Sequence, residues 1–235
     1  MTSGAGSPPD VGVVLVAAGA GRRAGPGQPK QFRTIAGIPM LLRALRPFVS
    51  HPEVAHVVVV LPEADAARPP AFLAELTGGA LSITAGGAER SDSVALGLSA
   101  VPAACGLILV HDAARPLVDR GVIDRVIAAA RDGAGVVPAI PIGDTVKEAD
   151  GSETRAPRVL RTVSRERLWM AQTPQGFPRA LLEEAHARGR AEGVRATDDA
   201  ALVERMGGTV VLVPGSRRNL KVTTDEDFLL AERIL

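Results

Sequence analysis

The apolar and polar positions of this chain alternate between short unbroken apolar runs and longer amphipathic stretches. Val11-Gly-Val-Val-Leu-Val16 contains no polar side chain and ends abruptly in Ala17-Ala-Gly-Ala-Gly21. That is the pattern of a strand buried on both faces. Similar runs at 54–61 and 106–110 predict further strands, and helical spacing is found at 40–49, 68–77, 91–100 and 119–132. Beyond these, 136–140 and 209–213 read as strands, and 178–189, 198–206 and 225–235 as helices. Strands that alternate with helices need crossover connections. The expectation is therefore an α/β, Rossmann-like fold: a mostly parallel sheet with helices on both faces, forming a single domain over residues 11–235.

Two segments depart from this rhythm. Residues 1–10 are small, Pro-containing and polar, with no basic stretch ahead of an apolar one, so they read as a disordered tail and not as a signal peptide. From 141 to 168 apolar residues are sparse and alternate with Thr, Lys, Arg and Glu, with Asp150-Gly151 as a turn signal in the middle. This predicts a protruding β-hairpin arm. A lone hairpin is marginally stable in water, so it is expected to pack on its own body or on a second subunit.

Composition narrows the partners. With 27 Lys plus Arg against 26 Asp plus Glu over 235 residues, there is no global field to attract nucleic acid or an anionic membrane. Any polyanion must be gripped locally. No apolar run approaches the roughly 18 residues of a membrane span. The single cysteine, Cys105, rules out an internal disulfide framework and suits a reducing cytoplasm.

Gly19-Ala-Gly21-Arg-Arg-Ala24 follows the first strand and matches the G-x-G-x-x-G/A dinucleotide fingerprint. A dinucleotide site also wants an acid about 20 residues on to hold the ribose. None occurs between Asp10 and Glu53, where Arg22, Arg23, Lys30 and Arg33 occur instead. Backbone amides beside cations suit a triphosphate, and no Gly-Lys-Ser/Thr follows to make a Walker A loop. A tight turn carrying solvated arginines is the alternative.

Four other strings carry candidate chemistry. Gly86-Gly-Ala-Glu-Arg90 followed by Ser91-Asp-Ser-Val94 offers turn backbone and a hydroxyl suited to a base edge, or a simple helix cap. Leu109-Val-His-Asp-Ala-Ala-Arg-Pro116 puts Asp112 and Arg115 beyond a strand end, where open α/β sheets bind ligands. They could hold a ribose or metal and a phosphate, or simply pair with each other. His111 receives no role, because a phosphate monoester is anionic at neutral pH and needs no base. Thr197-Asp-Asp199 reads as a helix cap, and in Asn219-Leu-Lys-Val-Thr-Thr-Asp225 the lysine, Lys221, could enter the same cleft.

Taken together, Ala17-Ala-Gly-Ala-Gly-Arg-Arg23, Pro29-Lys-Gln-Phe32, Gly-Gly-x-Glu-Arg-x-x-Ser-Val and His-Asp-Ala-Ala-Arg-Pro resemble the 2-C-methyl-D-erythritol 4-phosphate cytidylyltransferase family, from about Val11 to Leu235. Val16, at a position often held by Pro, and the spelling Gly25-Pro-Gly27 are departures that remove no functional side chain. The resemblance implies that Arg23, Lys30 and Lys221 stabilise charge at the α-phosphate and the leaving pyrophosphate. It implies nucleotide contacts from Ala17, Ala18, Gly19, Gly21, Gly87, Ala88, Ser93, Asp112 and Ala113. Sugar-phosphate contacts would come from Asp112, Arg115, Thr145, Arg165, Thr173 and Thr197, with the arm swapped across a homodimer so that Thr145 and Arg165 serve the neighbouring site.

The expected reaction is in-line attack of the sugar-alcohol phosphate on the α-phosphorus of CTP. Mg²⁺ or another divalent cation would be carried mainly by the CTP phosphates, with no metal-ligating residue set of the protein's own. Some relatives carry a fused cyclase domain, and the chain's end near residue 235 is expected to leave none here. The rivals are a ribitol 5-phosphate cytidylyltransferase, an NAD-binding oxidoreductase disfavoured by the missing acid, and a non-catalytic nucleotide sensor.

Overall fold

The computed structural model describes residues 8–19, 29–151 and 156–235. The residues assigned above to the tail at 1–7, and Gly21 and Arg23 of the glycine-rich loop, lie outside them. In chain order the elements of the first half are β1 (Val11–Val16), β2 (Thr34–Ile35), β3 (Ile38–Pro39), α1 (Met40–Val49), β4 (Val54–Leu61), α2 (Glu63–Ala67), α3 (Ala71–Ala74), β5 (Leu81–Ala85) and α4 (Arg90–Ala100). The second half adds β6 (Leu107–Asp112), α5 (Arg120–Ala130), β7 (Gly135–Pro141), β8 (Val146–Ala149), β9 (Val159–Val163), β10 (Trp169–Ala171), β11 (Gln175–Pro178), α6 (Arg179–Ala191), α7 (Asp199–Arg205), β12 (Val210–Pro214) and α8 (Asp225–Ile234).

The apolar run of β1 forms the centre of an eight-stranded sheet. It pairs in parallel with β4 on one side and β6 on the other, and β5 extends the sheet parallel to β4. Because successive strand residues face opposite ways, these runs feed two cores. Val11, Val13 and Leu15 join Val57, Val59 and Leu61 under the apolar faces of α1 and α5. Val14 joins Val58, Val60, Ile108 and Val110 under α4, α6 and α7. Helices thus cover both faces, as the continuous apolar runs require. Burying one large side chain such as Phe48 or Leu45 stabilises the fold by roughly 1.5–3 kcal/mol.

The elements that differ from expectation have physical causes. The helix expected at 68–77 is reduced to α3, because Pro69 and Pro70 keep the residues before them out of helical geometry. A separate short helix, α2, starts after Pro62. β5 was not foreseen, nor were β10 and β11. β11 runs antiparallel between β6 and β7 in the middle of the sheet, though its Gly176 and Pro178 are poor strand formers. The sheet remains mostly parallel, with antiparallel strands confined to β10 and β11 among its described residues.

The arm leaves at the end of β7 and returns at β10, where Trp169 stands opposite Pro141. Between them β8 and β9 pair antiparallel as a separate two-stranded ribbon, Val146 opposite Val163 and Lys147 opposite Thr162. Val159 and Leu160 on β9 are each 54% exposed, and Trp169 and Met170 at the base of the arm are exposed as well. Within one chain this apolar surface has little to cover it.

Candidate functional site

The carboxyl ends of β1, β4, β5 and β6 open on a cavity of about 650 Å³. In a parallel sheet these ends are where the helices that follow begin, so backbone amides and short loops converge there. After β1, Ala17, Ala18 and Gly19 form one wall. After β5, Gly86, Gly87 and Ala88 form another, and Ser93 from the first turns of α4 faces the same space. A Cβ on Gly86 would lie 2.4 Å from that of Ala18 and 2.7 Å from Ser93 Oγ, so only glycine lets the two walls meet this closely.

Ser93 Oγ accepts from the Gly87 amide at 3.1 Å and donates to the Glu89 carbonyl at 3.1 Å. The helix cap is therefore made elsewhere. The Asp92 carboxylate accepts from the Glu89 N–H at 3.2 Å, and Ser93 ties the glycine turn to the helix.

β6 ends in Asp112, followed on the cavity wall by Ala113. Asp112 Oδ2 accepts from Lys221 Nζ at 2.7 Å and Oδ1 from Arg90 Nε at 3.2 Å. Arg90 in turn donates from Nη1 to Asp199 Oδ2 at 2.8 Å. Burial alone would raise the Asp112 carboxyl, but the charges of Arg90 and Lys221 outweigh it and hold the group well below the usual carboxylate range. Asp199 is lowered in the same way, with burial again overcome by Arg90 and by a hydrogen bond from His186. The cavity floor is thus an ionised, cross-linked cluster.

Lys30 lies in a single 3-10 turn after Pro29, with Gln31 beside it on the cavity wall. Its Nζ donates to the Val222 carbonyl at 2.8 Å, next to Lys221 in sequence. The loop after β1 and the segment before α8 are joined further, because Arg33 pairs with Asp225 at 2.7 Å and lies over the Phe228 ring at 4.0 Å. Residues almost two hundred positions apart are thereby held in one rim.

His111 sits behind the wall, fully buried. Its Nε2 faces the Arg115 carbonyl at 3.1 Å, which can only accept, so Nε2 carries the proton. Nδ1 then accepts from Thr173 Oγ1 at 3.0 Å, and that oxygen accepts the Asp112 amide at 3.0 Å. Burial pushes His111 down to about 4, so the ring is neutral and its lone pair is already used.

The fold brings Ala17, Ala18, Gly19, Lys30, Gly87, Ala88, Ser93, Asp112, Ala113 and Lys221 to this one cavity. Thr173 is buried behind it against Asp112. Arg115 is turned toward backbone, donating to the Asn219 carbonyl at 2.8 Å and the Ala171 carbonyl at 3.2 Å, not to Asp112. Thr197 is exposed, and the cap of α7 is Asp198, which accepts from the Ala201 amide. Thr145 and Arg165 are in the arm, where Arg165 donates to the Gly143 carbonyl; neither lines the cavity.

Arg90 and Asp199 were not singled out from the sequence although both stood inside quoted strings. The signal available was an arginine directly after the glycine turn and a second acid after the capping one. Their pairing across 109 positions is visible only in the fold.

Comparison with known proteins identifies the family. The family profile of IspD, 2-C-methyl-D-erythritol 4-phosphate cytidylyltransferase, matches residues 11–235. A protein of that name from Salinibacter ruber is 44% identical over 94% of this chain and 91% of its own length. One from Streptomyces coelicolor is 44% identical over 97% of this chain and 86% of its own. The crystal structure of the Thermus thermophilus enzyme of the same name superposes with a TM-score of 0.78 at 39% identity, covering 94% of this chain and 96% of that one. None of these favours a ribitol 5-phosphate enzyme or an NAD-dependent oxidoreductase. The chain belongs to the 2-C-methyl-D-erythritol 4-phosphate cytidylyltransferase family.

Proposed function

We propose that this chain is a nucleotidyltransferase that joins CTP to 2-C-methyl-D-erythritol 4-phosphate, giving 4-diphosphocytidyl-2-C-methyl-D-erythritol and pyrophosphate in the non-mevalonate route to isoprenoids. The observation that carries this reading is the convergence of Lys30, Lys221 and Asp112 on a cavity walled by two glycine turns, in a chain that matches the family from residue 11 to its end.

The reacting oxygen belongs to a phosphate that is already anionic, so the protein's task is alignment and charge neutralisation. Lys30 and Lys221 sit on one rim and stabilise the charge that builds on the α-phosphate and the departing pyrophosphate; the family resemblance assigns Arg23 to the same task. The turn at Gly87 and Ala88 and the Ser93 hydroxyl read the cytosine edge, and the walls at Ala17 to Gly19 and at Ala113 enclose the nucleotide. Asp112 accepts from a ribose hydroxyl. His111 moves no proton, because it is neutral and both ring nitrogens are engaged.

Among the described residues no group of three or more His, Cys, Asp or Glu side chains could form a cation cage, and Asp112 is already paired to two cations. This donor set fits a divalent ion such as Mg²⁺ that arrives on the nucleotide's own phosphate oxygens. When bound there, the ion supplies further neutralisation of the triphosphate.

The sugar-phosphate half of the site draws on two chains. Thr145 and Arg165 lie outside the cavity of their own chain, on an arm whose apolar side chains are exposed, so a homodimer in which each arm reaches the partner's cavity completes the site. Thr173, Arg115 and Thr197 shape the same region. Among the described residues no helix is long and apolar enough to cross a membrane, and we place the enzyme in the cytoplasm.

Pyrophosphate release is the test. CTP with methylerythritol phosphate should turn over, whereas UTP, ATP and ribitol 5-phosphate in place of the cognate partner should not. Equal rates with ribitol 5-phosphate, or no release with CTP, would overturn the reading.

A further inference from the structure

Asp112 has two carboxylate oxygens and a different cation on each. Lys221, on Oδ2, has a side chain 47% exposed and borders the cavity. Arg90, on Oδ1, is anchored at its other end by Asp199, whose side chain is only 1% exposed. Asp199 is itself fixed, accepting from His186 Nε2 at 3.0 Å while its own N–H donates to Gln175 Oε1 at 3.2 Å. One cation on Asp112 is therefore locked into the fold, while the other sits half in solvent on an unbranched side chain.

This asymmetry bears on how Lys221 can act. A lysine held 2.7 Å from a carboxylate has much of its charge compensated, so Lys221 stabilises phosphate charge fully only when it moves off Asp112. Leaving a buried carboxylate without any cation is strongly unfavourable. We propose that Arg90 is a positioning residue whose work is to release Lys221: by keeping one fixed cation on Asp112, it allows Lys221 to transfer to a nucleotide phosphate without stranding the carboxylate. Arg90 acts through Asp112 and Asp199, and this role rests on the reading of the cavity as a cytidylyltransferase site.

The competing explanation is that Arg90 only holds α4 and α7 together. The two separate in a mutant cycle built on Asp199→Asn, which removes the buried charge that loss of Arg90 would otherwise expose. In that background Arg90→Gln should lower kcat/KM for CTP about tenfold while Asp112 is charged, a coupling of ordinary size for residues in one ion-pair network. With Asp112→Asn also present, the same Arg90→Gln change should cost less than about twofold, since no carboxylate remains to retain Lys221. Arg90→Lys in the same Asp199→Asn background keeps a cation beside Asp112 and should recover most of the loss. Equal losses from Arg90→Gln with and without the Asp112 charge would overturn the proposal, as would a folded Arg90→Lys enzyme as slow as the Gln variant. No pyrophosphate release by the unaltered chain would instead defeat the functional reading on which the proposal depends.

Discussion

The cavity and the arm are built from similar residue types, Thr, Lys, Arg and Asp among them, and behave as opposites. Around the cavity a buried ionic cluster is cross-linked: Asp112 to Arg90 and Lys221, Arg90 to Asp199, Asp199 to His186. In the arm the pairs are peripheral, such as Arg161 with Glu148 on neighbouring strands, and the apolar residues Val159 and Leu160 face outward. Exposed pairs contribute little. The contrast teaches that the ionic network of the cavity closes within one chain, whereas the arm leaves apolar surface open, which is what the proposed homodimer would cover.

The largest expected effect falls on the cavity. Lys30→Ala should reduce turnover about 100-fold in a folded protein, the scale of losing one preorganised charge-stabilising donor; a near-normal rate would remove Lys30 from the chemistry. The buried network should also leave a pH signature that the arm cannot. His111 takes its proton at about 4 in the folded chain and near 6.5 when unfolded. As pH falls below 6.5 the unfolded state therefore gains a proton that the folded state refuses. Stability should be unaffected by this group above 6.5 and should drop by about 3 kcal/mol as pH approaches 4. Denaturant titrations at several pH values should show that slope in the unaltered chain and lose it in His111→Gln.

Leu160→Asp tests the arm. A charge on this exposed apolar strand should shift the protein to monomer by sedimentation and raise KM for the sugar phosphate about tenfold, equivalent to about 1.4 kcal/mol. CTP affinity should be unchanged, and a parallel loss of both would erase the distinction between the two halves. Gly86→Ala is expected to act on stability, not on oligomeric state or sugar-phosphate binding. The added methyl would press on Ala18 and Ser93 and should cost about 1–2 kcal/mol of stability, measured as a lowered melting temperature.

Much of the fold was legible because its causes are local. The run at β1 is apolar at every position and those at β4 and β6 over most of their length, which only a doubly covered sheet can bury, and α1 falls on 40–49 as its spacing indicates. β11 was not legible: Gln175, Gly176 and Pro178 have no strand preference, and the segment pairs because β6 and β7 leave a slot between them. The same division runs through the site. Lys30, Asp112 and Lys221 could be picked from strings that follow or precede strands, whereas Arg115 could not be seen to turn away from Asp112 toward the Asn219 and Ala171 carbonyls.

The sequence by itself determined which segments are apolar enough to be buried, and it supplied glycine turns and cations in a stretch without acids, because periodicity and residue chemistry are written residue by residue. Only the tertiary structure decided which charges meet. Arg90 reaches Asp199, Lys221 reaches Asp112 and Lys30 reaches the backbone of Val222, each across about a hundred positions or more. An ion pair depends on separations of a few ångströms, and those are set by how the strands are ordered in the sheet, not by distance along the chain.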